Sequence, residues 1–457
     1  MTSARDNGGD TALTGGMYRR LARNSALLAS ATAISSLLMM LAVAIAARAL
    51  TARDFGVLVL LQSAVLMLRA FMGFATQQPV IKLGSDAQHA GDKQRLGDII
   101  SMGLVVDVVG SVAAFVVAAL FIELSRSAIG LADQDVGSAW ILAFSLLLTG
   151  YPTSNGIFRL YNRFGLLSLV QSVSAAALLI AFAIAFAASA GLQTFVWIWA
   201  IYLALSSFFQ LLLSLEFVRR DQVPLKLRIR PFWSADGNTL LHYCWTTWGT
   251  STADTIRTNG DSLMVGAMVS VQAAGVYSVA RQLAGILRKF NVVYSSTVFP
   301  EITRLSAQGD LEGARKLKAR MTSIGLVAGV VSVALAALLG EVAIKLLFGA
   351  RFAPAYLPFV ILTAAAIAQL LSFTPSMYVQ VYRGPRMLLL LITLATAAFA
   401  GLAVVLTLTL SIAGMAIAHL LFAVILILLC ELALRGIFGD RRGKRAPVAD
   451  ELQSEEL

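Results

Sequence analysis

Charged side chains inside apolar segments are the feature of this 457-residue sequence that could carry chemistry. Asp254, Arg257 and Asp261 are spaced three and four residues apart, which places them on one stripe of a helix, where they can pair. Arg281 and Arg288 are seven residues apart and share a face in the following apolar segment. Because an Arg at the centre of a bilayer costs about 2.5–3.5 kcal/mol, these cations must face water, protein or a ligand.

Cations outnumber plausible acidic partners inside the membrane. The intramembrane set comprises Arg69, Asp107, Asp254, Arg257, Asp261, Arg281, Arg288 and Lys289. This excess predicts a net positive cavity, and guanidinium groups bind phosphate oxygens bidentately, so an amphiphilic anion suits the cavity better than a cationic drug. The three aspartates are candidate coupling or gating groups. Two alternatives stay open: Arg257 is neutralised by its own helix, and Arg281 and Arg288 pair with other helices or snorkel.

The elements that must position these charges are membrane helices. With 58% hydrophobic and 13% charged residues and a mean hydropathy of +0.78, the composition excludes a soluble globular protein. The predicted spans are 24–47, 55–79, 97–124, 137–158, 166–190, 194–218, 239–266, 273–299, 321–348, 355–382, 387–409 and 411–436. The predicted fold class is therefore an all-α integral membrane protein with about twelve transmembrane helices.

Loop charges predict the orientation. The net charge is +11, and Lys and Arg collect on alternate loops, with 26 on one side and five on the other. By the positive-inside rule this places both termini in the cytoplasm. The expected location is the bacterial inner membrane.

An internal repeat at an offset near 219 residues relates the two halves of the chain. The matched positions are Gly56 and Gly275, Arg69 and Arg288, Phe71 and Phe290, and Gly91-Asp92 and Gly309-Asp310. Because six spans separate them, the repeats are parallel, as in one established class of transporters. We expect a six-helix bundle at 1–218, a cytoplasmic basic linker at 219–238 and a second bundle at 239–457, with a central cavity between the repeats.

The motifs of several enzyme classes are missing. The sequence has no phosphate-binding Gly-x-x-x-x-Gly-Lys-Ser/Thr loop and no Cys/His metal motif. His89, His242 and His419 are isolated and are interpreted as ordinary loop or core residues. The sequence therefore predicts a transporter and not an enzyme, with no catalytic residue, metal, cofactor or nucleic acid.

Several motifs resemble those of a known family. Arg48 to Gly56 resembles the Ala-Arg-x-Leu-x-x-x-x-Phe/Tyr-Gly signature of polysaccharide-biosynthesis membrane proteins, the Wzx-type oligosaccharide flippases. The stretches 261–266, 274–280 and 298–302 resemble the central block of that family. The resemblance covers most of the chain and implies membership of the multidrug/oligosaccharidyl-lipid/polysaccharide exporter superfamily.

The resemblance also implies a function. It predicts a flippase that moves undecaprenyl-diphosphate-linked oligosaccharide units to the periplasmic leaflet by alternating access, for exopolysaccharide, capsule or O-antigen synthesis. Arg257, Arg281, Arg69 and Arg288 are the positions that would receive the diphosphate. Expected partners are this lipid-linked substrate, membrane lipids, and polysaccharide polymerase and export machinery. The alternatives are a small-molecule or drug exporter and a non-transporting scaffold for polysaccharide enzymes.

Overall fold

The computed structural model describes residues 33–128, 133–225, 234–288, 298 and 301–438, and within these ranges the chain forms helices and no strand. The helices are α1 (Ala33–Ala49), α2 (Ala52–Met72), α3 (Gln77–His89), α4 (Lys93–Ala128), α5 (Asp133–Leu147), α6 (Pro152–Leu160), α7 (Phe164–Ala187), α8 (Leu192–Arg220), α9 (Ala235–Met268), α10 (Val271–Arg288), α11 (301–307), α12 (Leu311–Leu347), a 3₁₀-helix (Ala350–Ala355), α13 (Tyr356–Arg383) and α14 (Pro385–Phe438). Parts of the predicted first span, of the 219–238 linker and of the eighth span lie outside the described residues, as does the C-terminal tail.

Eight helical segments of the described chain are long and apolar enough to cross a membrane. The run through α14 contains two of the predicted spans, because Ser411 breaks the helix with φ 56° and ψ −138°. A continuous helix of 54 residues would measure about 80 Å, far more than the roughly 30 Å apolar core of a bilayer. The remaining predicted spans correspond to α1, of which Ala33–Ala49 is described, and to α9 and α10, which carry most of the intramembrane charges.

Two predicted elements differ from the observed ones. The predicted fourth span, 137–158, is two helices, α5 and α6, since Gly150 has φ +97° between them and Pro152 starts the second helix. The stretch 80–96, which lies between the predicted second and third spans, is mostly helical: α3 extends to His89 and α4 begins at Lys93. The apolar residues Val80, Leu83 and Ala87 of α3 fall on one face and are buried against neighbouring helices.

The internal repeat is visible in the backbone. Gly91 and Gly309 both have φ +68° and follow the ends of α3 and α11. The following residues, Asp92 and Asp310, each donate the backbone N–H to a carbonyl five positions earlier at 3.0 Å. Each aspartate then accepts a hydrogen bond from the amide three positions later, at 2.9 and 2.8 Å, and so caps α4 or α12.

The chain divides into two compact units that differ from the sequence halves. The N-terminal unit contains 1–50 and 61–260, and the C-terminal unit contains 51–60 and 261–457. Residues 239–260 therefore cluster with the N-terminal unit, and 51–60 with the C-terminal unit. The use of 219–238 as a linker between bundles stays a prediction.

Each unit has its own close-packed interior. In the N-terminal unit, the buried apolar face of α3 packs with residues of α4, α6, α8 and α9, including Ile99, Ile157 and Leu240. In the C-terminal unit, the beginning of α2 meets α10 at the repeat-matched glycines Gly56 and Gly275. A Cβ added to Gly275 would lie 3.1 Å from the Gly56 Cα, so this helix contact requires residues without side chains.

Candidate functional site

A cluster of buried polar side chains in the C-terminal unit is the candidate functional site. The last turns of α9 contribute Asp261, α10 contributes Tyr277 and Arg281, and α14 contributes His419. Tyr277 and Arg281 are four residues apart on α10, so both point to the same side of the helix. Four residues from three helices thereby meet around one carboxylate.

The carboxylate of Asp261 is the centre of this cluster. Its side chain is buried, and its Oδ1 accepts a hydrogen bond from Arg281 Nη1 at 3.2 Å. Its Oδ2 accepts the Tyr277 hydroxyl proton at 3.0 Å and lies 3.4 Å from His419 Nε2. Since a buried charge is costly unless it is paired and hydrogen-bonded, these contacts explain how Asp261 is accommodated among apolar helices.

A small cavity adjoins the cluster. Its volume is about 20 Å³, enough for roughly one water molecule. Asp261, Arg281, Gln369 and His419 supply its polar lining, and its apolar wall comes from Ala284 on α10 and from residues of α13. The Arg281 side chain is 19% exposed, whereas that of Asp261 is 1% exposed.

The structure gives Arg281 an acidic partner on a neighbouring helix. The ion pair with Asp261 joins α9 to α10, as the interhelical-pairing alternative expects. A role of Arg281 in diphosphate binding stays a prediction. The side chains of Asp254, Arg257 and Arg288 lie outside the described part of the chain, so their roles stay predictions as well.

A second buried carboxylate, Asp107 on α4, lies in the N-terminal unit. Its Oδ1 accepts the Thr76 hydroxyl proton at 2.6 Å, and its Oδ2 accepts the Thr153 backbone N–H at 2.9 Å. Thr76 precedes α3 and Thr153 begins α6, so one side chain ties two interrupted helices to α4. The predicted coupling or gating role of Asp107 is untested, and its contacts are those of a structural tie.

Arg69 lies near the same interruption in the N-terminal unit. It is partly buried in the last turn of α2. Its Nε would lie 3.8 Å from a Cβ added at Gly150, the residue at the break between α5 and α6. The side chain thus approaches a non-helical backbone, the kind of place where membrane transporters bind ligands, and its predicted contact with diphosphate stays a prediction.

Sequence reasoning did not single out three members of the candidate site. Gln369 and His419 each stand alone in an apolar stretch, and His419 is interpreted as an ordinary loop or core residue. Tyr277 carried one usable signal, since its spacing from Arg281 places both on one helix face. For Gln369 and His419 no local pattern points to Asp261, because α13 and α14 reach it only in the folded chain.

Comparison with known proteins assigns the chain to a family and identifies a bacterial relative. The family described as "Polysaccharide biosynthesis protein" matches residues 21–306. The inner membrane protein YghQ of Escherichia coli (strain K12) is 27% identical over 355 residues, which cover 75% of this chain and 96% of YghQ. With the apolar helices, this relationship identifies a multi-pass inner membrane protein.

Solved structures show the same fold. The lipid II flippase MurJ in an inward closed conformation matches with a TM-score of 0.70 and 14% identity, over 90% of this chain and 87% of MurJ. An inward-facing multidrug resistance MATE transporter of the MOP superfamily matches with a TM-score of 0.64 and 15% identity, over 89% of this chain and 96% of that protein. The predicted all-α transporter fold is confirmed.

Proposed function

This chain belongs to the polysaccharide biosynthesis protein family, and from that premise we propose that it is a flippase for undecaprenyl-diphosphate-linked oligosaccharides. The direction is from the cytoplasmic to the periplasmic leaflet, by alternating access, with both termini cytoplasmic. The translocated unit then passes to polysaccharide polymerase and export machinery. The fold likeness to a lipid II flippase supports a lipid-linked substrate.

The observation that carries the proposal is the position of Arg281. Its side chain is partly exposed and lines a cavity, and its guanidinium contacts one buried carboxylate at 3.2 Å. A diphosphate presents more anionic oxygens than a carboxylate and matches the guanidinium fork. We therefore propose that the diphosphate competes with Asp261 for Arg281 when substrate binds. Arg69, Arg257 and Arg288 are proposed as further cations for the same diphosphate.

An exchange of partners would also couple binding to a conformational change. When Arg281 turns to the diphosphate, Asp261 keeps the hydrogen bonds from Tyr277 and Ser262, at 3.0 and 2.7 Å, but loses its cation. An uncompensated buried carboxylate is costly, so it either takes up a proton or interacts more strongly with His419, 3.4 Å away. Substrate binding thereby changes how α9, α10 and α14 pack around Asp261. Asp254 is proposed as a second coupling group on α9.

The test is leaflet-resolved quantification of polyprenyl-diphosphate oligosaccharides in cells that lack this protein. Complementation uses wild type, Arg281→Gln, the double variant Asp261→Asn/Arg281→Gln, and Arg315→Gln as control. The double variant removes both charges, so no ion is left buried without a partner and assembly is expected to be retained. Arg315 is an exposed cation on α12, and its replacement removes the same charge outside the site.

We expect wild type and Arg315→Gln to relieve accumulation on the cytoplasmic leaflet, and the double variant to fail although it assembles normally. Transport by the double variant at the wild-type rate would show that Arg281 does not bind the substrate. An unchanged lipid-linked pool in the deletion strain would overturn the flippase proposal itself.

Export of a small molecule is the second candidate, and the fold likeness to multidrug transporters favours it. A cationic drug would be repelled by Arg281, so this candidate requires a neutral or anionic compound. Accumulation of a labelled anionic compound in the deletion strain, together with an unchanged lipid-linked pool, would favour it.

A further inference from the structure

A groove of about 610 Å³ opens at one end of the N-terminal unit, where α6 ends, α7 begins and α8 ends. This volume falls within the range of about 300–1,000 Å³ that is typical of ligand pockets. Tyr161, Arg163, Phe217, Arg220 and Asp221 supply most of its functional groups. The loop-charge pattern predicts that this end faces the cytoplasm. None of these residues belongs to the candidate transport site.

Two arginines give the groove its positive charge. The guanidinium of Arg163 lies over the Phe217 ring, 5.7 Å from its centroid, an arrangement that orients the cation without neutralising it. Arg220 contacts Glu216 through Nε at 2.8 Å. Within the part of the chain that the structure describes, this is its one ion pair, and it leaves both Nη groups for other acceptors. Each arginine therefore keeps donors that an anion can use.

The one acidic residue of the groove is already engaged. Asp221 Oδ2 accepts the Tyr161 hydroxyl proton at 3.0 Å, and its Oδ1 lies 3.3 Å from Lys93 Nζ. Burial and the hydrogen bond to Asp221 raise the pKa of Tyr161 above its usual value, so the phenol stays a neutral donor. Asp221 is thus turned toward Tyr161 and Lys93, and the arginines dominate the charge that a ligand meets.

The helices that form the groove continue into an apolar exposed surface. On α7, Leu169 and Val173 are more than half exposed, and they begin about one turn beyond the groove. On α8, Phe209 and Leu212 are about half exposed. In a membrane protein such side chains contact lipid chains. A charged groove beside a lipid-facing apolar surface matches an amphiphile, which has a charged headgroup and apolar chains.

We propose that this groove binds the phosphate headgroup of a membrane lipid, whose chains lie along α7 and α8. Arg163 and Arg220 contact the phosphate oxygens, since guanidinium groups match phosphate geometry, and the rings of Tyr161 and Phe217 form the apolar floor. Two lipids share this chemistry, an anionic phospholipid such as phosphatidylglycerol and a polyprenyl phosphate. The groove shares no residue with the cavity beside Asp261, where the substrate is proposed to bind.

Native mass spectrometry of the purified full chain tests this proposal. Phosphatidylglycerol, undecaprenyl phosphate and phosphatidylcholine are added separately at equal concentration, and the bound fraction of each is measured. The test variant is Arg163→Gln/Arg220→Gln. The matched control, Arg315→Gln/Arg320→Gln, removes two exposed cations from α12 and leaves the groove intact.

We expect at least one anionic lipid to bind more tightly than phosphatidylcholine, and its affinity to fall about tenfold or more in the groove variant while the control binds as wild type. If wild type binds phosphatidylglycerol alone and the groove variant loses it, the groove binds a structural phospholipid. If wild type binds undecaprenyl phosphate alone and the groove variant loses it, the groove binds the carrier lipid. Equal losses in both double variants, or no preference for either anionic lipid, would overturn the proposal. Because neither Arg163 nor Arg220 belongs to the Asp261 cluster, a negative result for the groove does not contradict the flippase proposal.

Discussion

Asp107 and Asp261 are the carboxylates that are buried in the described part of the chain, and they have different partners. Asp107 in the N-terminal unit binds a hydroxyl and a backbone amide. Asp261 in the C-terminal unit binds a hydroxyl and an arginine, and it lies beside a histidine and a cavity. The donors to Asp107 are neutral groups at helix N-termini, and such contacts hold helices together. The donor to Asp261 is a cation that lines a cavity, and an anionic ligand there can take the place of the carboxylate. We propose that these different partners give the two carboxylates different roles, within a scaffold whose helix ends the repeats share.

The largest expected effect comes from removing the Asp261 carboxylate alone. Asp261→Ala leaves Arg281 without its anionic partner among apolar helices, so we expect a loss of about 3–5 kcal/mol in stability and poor assembly. Thermal unfolding in detergent, followed by size-exclusion chromatography, measures this loss. The double variant Asp261→Asn/Arg281→Gln should recover most of the stability. If it unfolds as readily as Asp261→Ala, the ion pair is not what Asp261 contributes.

A smaller effect is expected at the other carboxylate. Asp107→Asn keeps one acceptor oxygen and loses the second, so one of its two hydrogen bonds is lost, at about 1–3 kcal/mol. Because no charge exchange involves Asp107, transport per assembled molecule should stay close to wild type in the leaflet-resolved assay. If the variant assembles normally but does not transport, Asp107 is a coupling group and not a structural tie, and the proposed difference in role between Asp107 and Asp261 is wrong.

The smallest effect tests the scaffold that the repeats share. Gly91→Ala and Gly309→Ala each place a Cβ at φ +68°, which costs about 1–2 kcal/mol in the left-handed region. A Cβ at either glycine meets no atom within 4 Å, so the backbone conformation alone sets the cost. We expect equal decreases in thermal stability and unchanged transport per assembled molecule. Unequal decreases would mean that the two turns are not equivalent.

The fold was largely predictable from local patterns. Long apolar runs and alternating loop charges gave the spans, and residues 219 positions apart gave the repeat, since helix formation and membrane insertion depend on neighbouring residues. The errors occurred where short signals compete. Gly150 and Pro152 divide a predicted single span, and the amphipathic pattern of α3 was obscured by turn-forming residues around it.

The candidate site was predictable only in part. Arg281 and Asp261 stood out because charges are rare in membrane helices. The sequence predicts that Asp261 can pair with Arg257 on its own helix and leaves open that Arg281 pairs with another helix, but it does not indicate that Asp261 is the partner of Arg281. His419 carried no signal of its own, because its neighbour Asp261 is distant in the sequence. In the sequence, Arg163 and Arg220 contribute only to the basic charge of the loops, because the groove between them depends on how three helix ends are placed.

The sequence by itself determined that this is a multi-pass membrane protein built from two related halves and that it keeps charges inside the membrane. Composition and periodicity suffice for these conclusions because the bilayer acts on each segment separately. Only the tertiary structure decided which partner each charge takes: Asp107 ties two helix interruptions together, and Asp261 holds Arg281 at the edge of a cavity. Such contacts join residues that are far apart in the chain, and no local pattern specifies them.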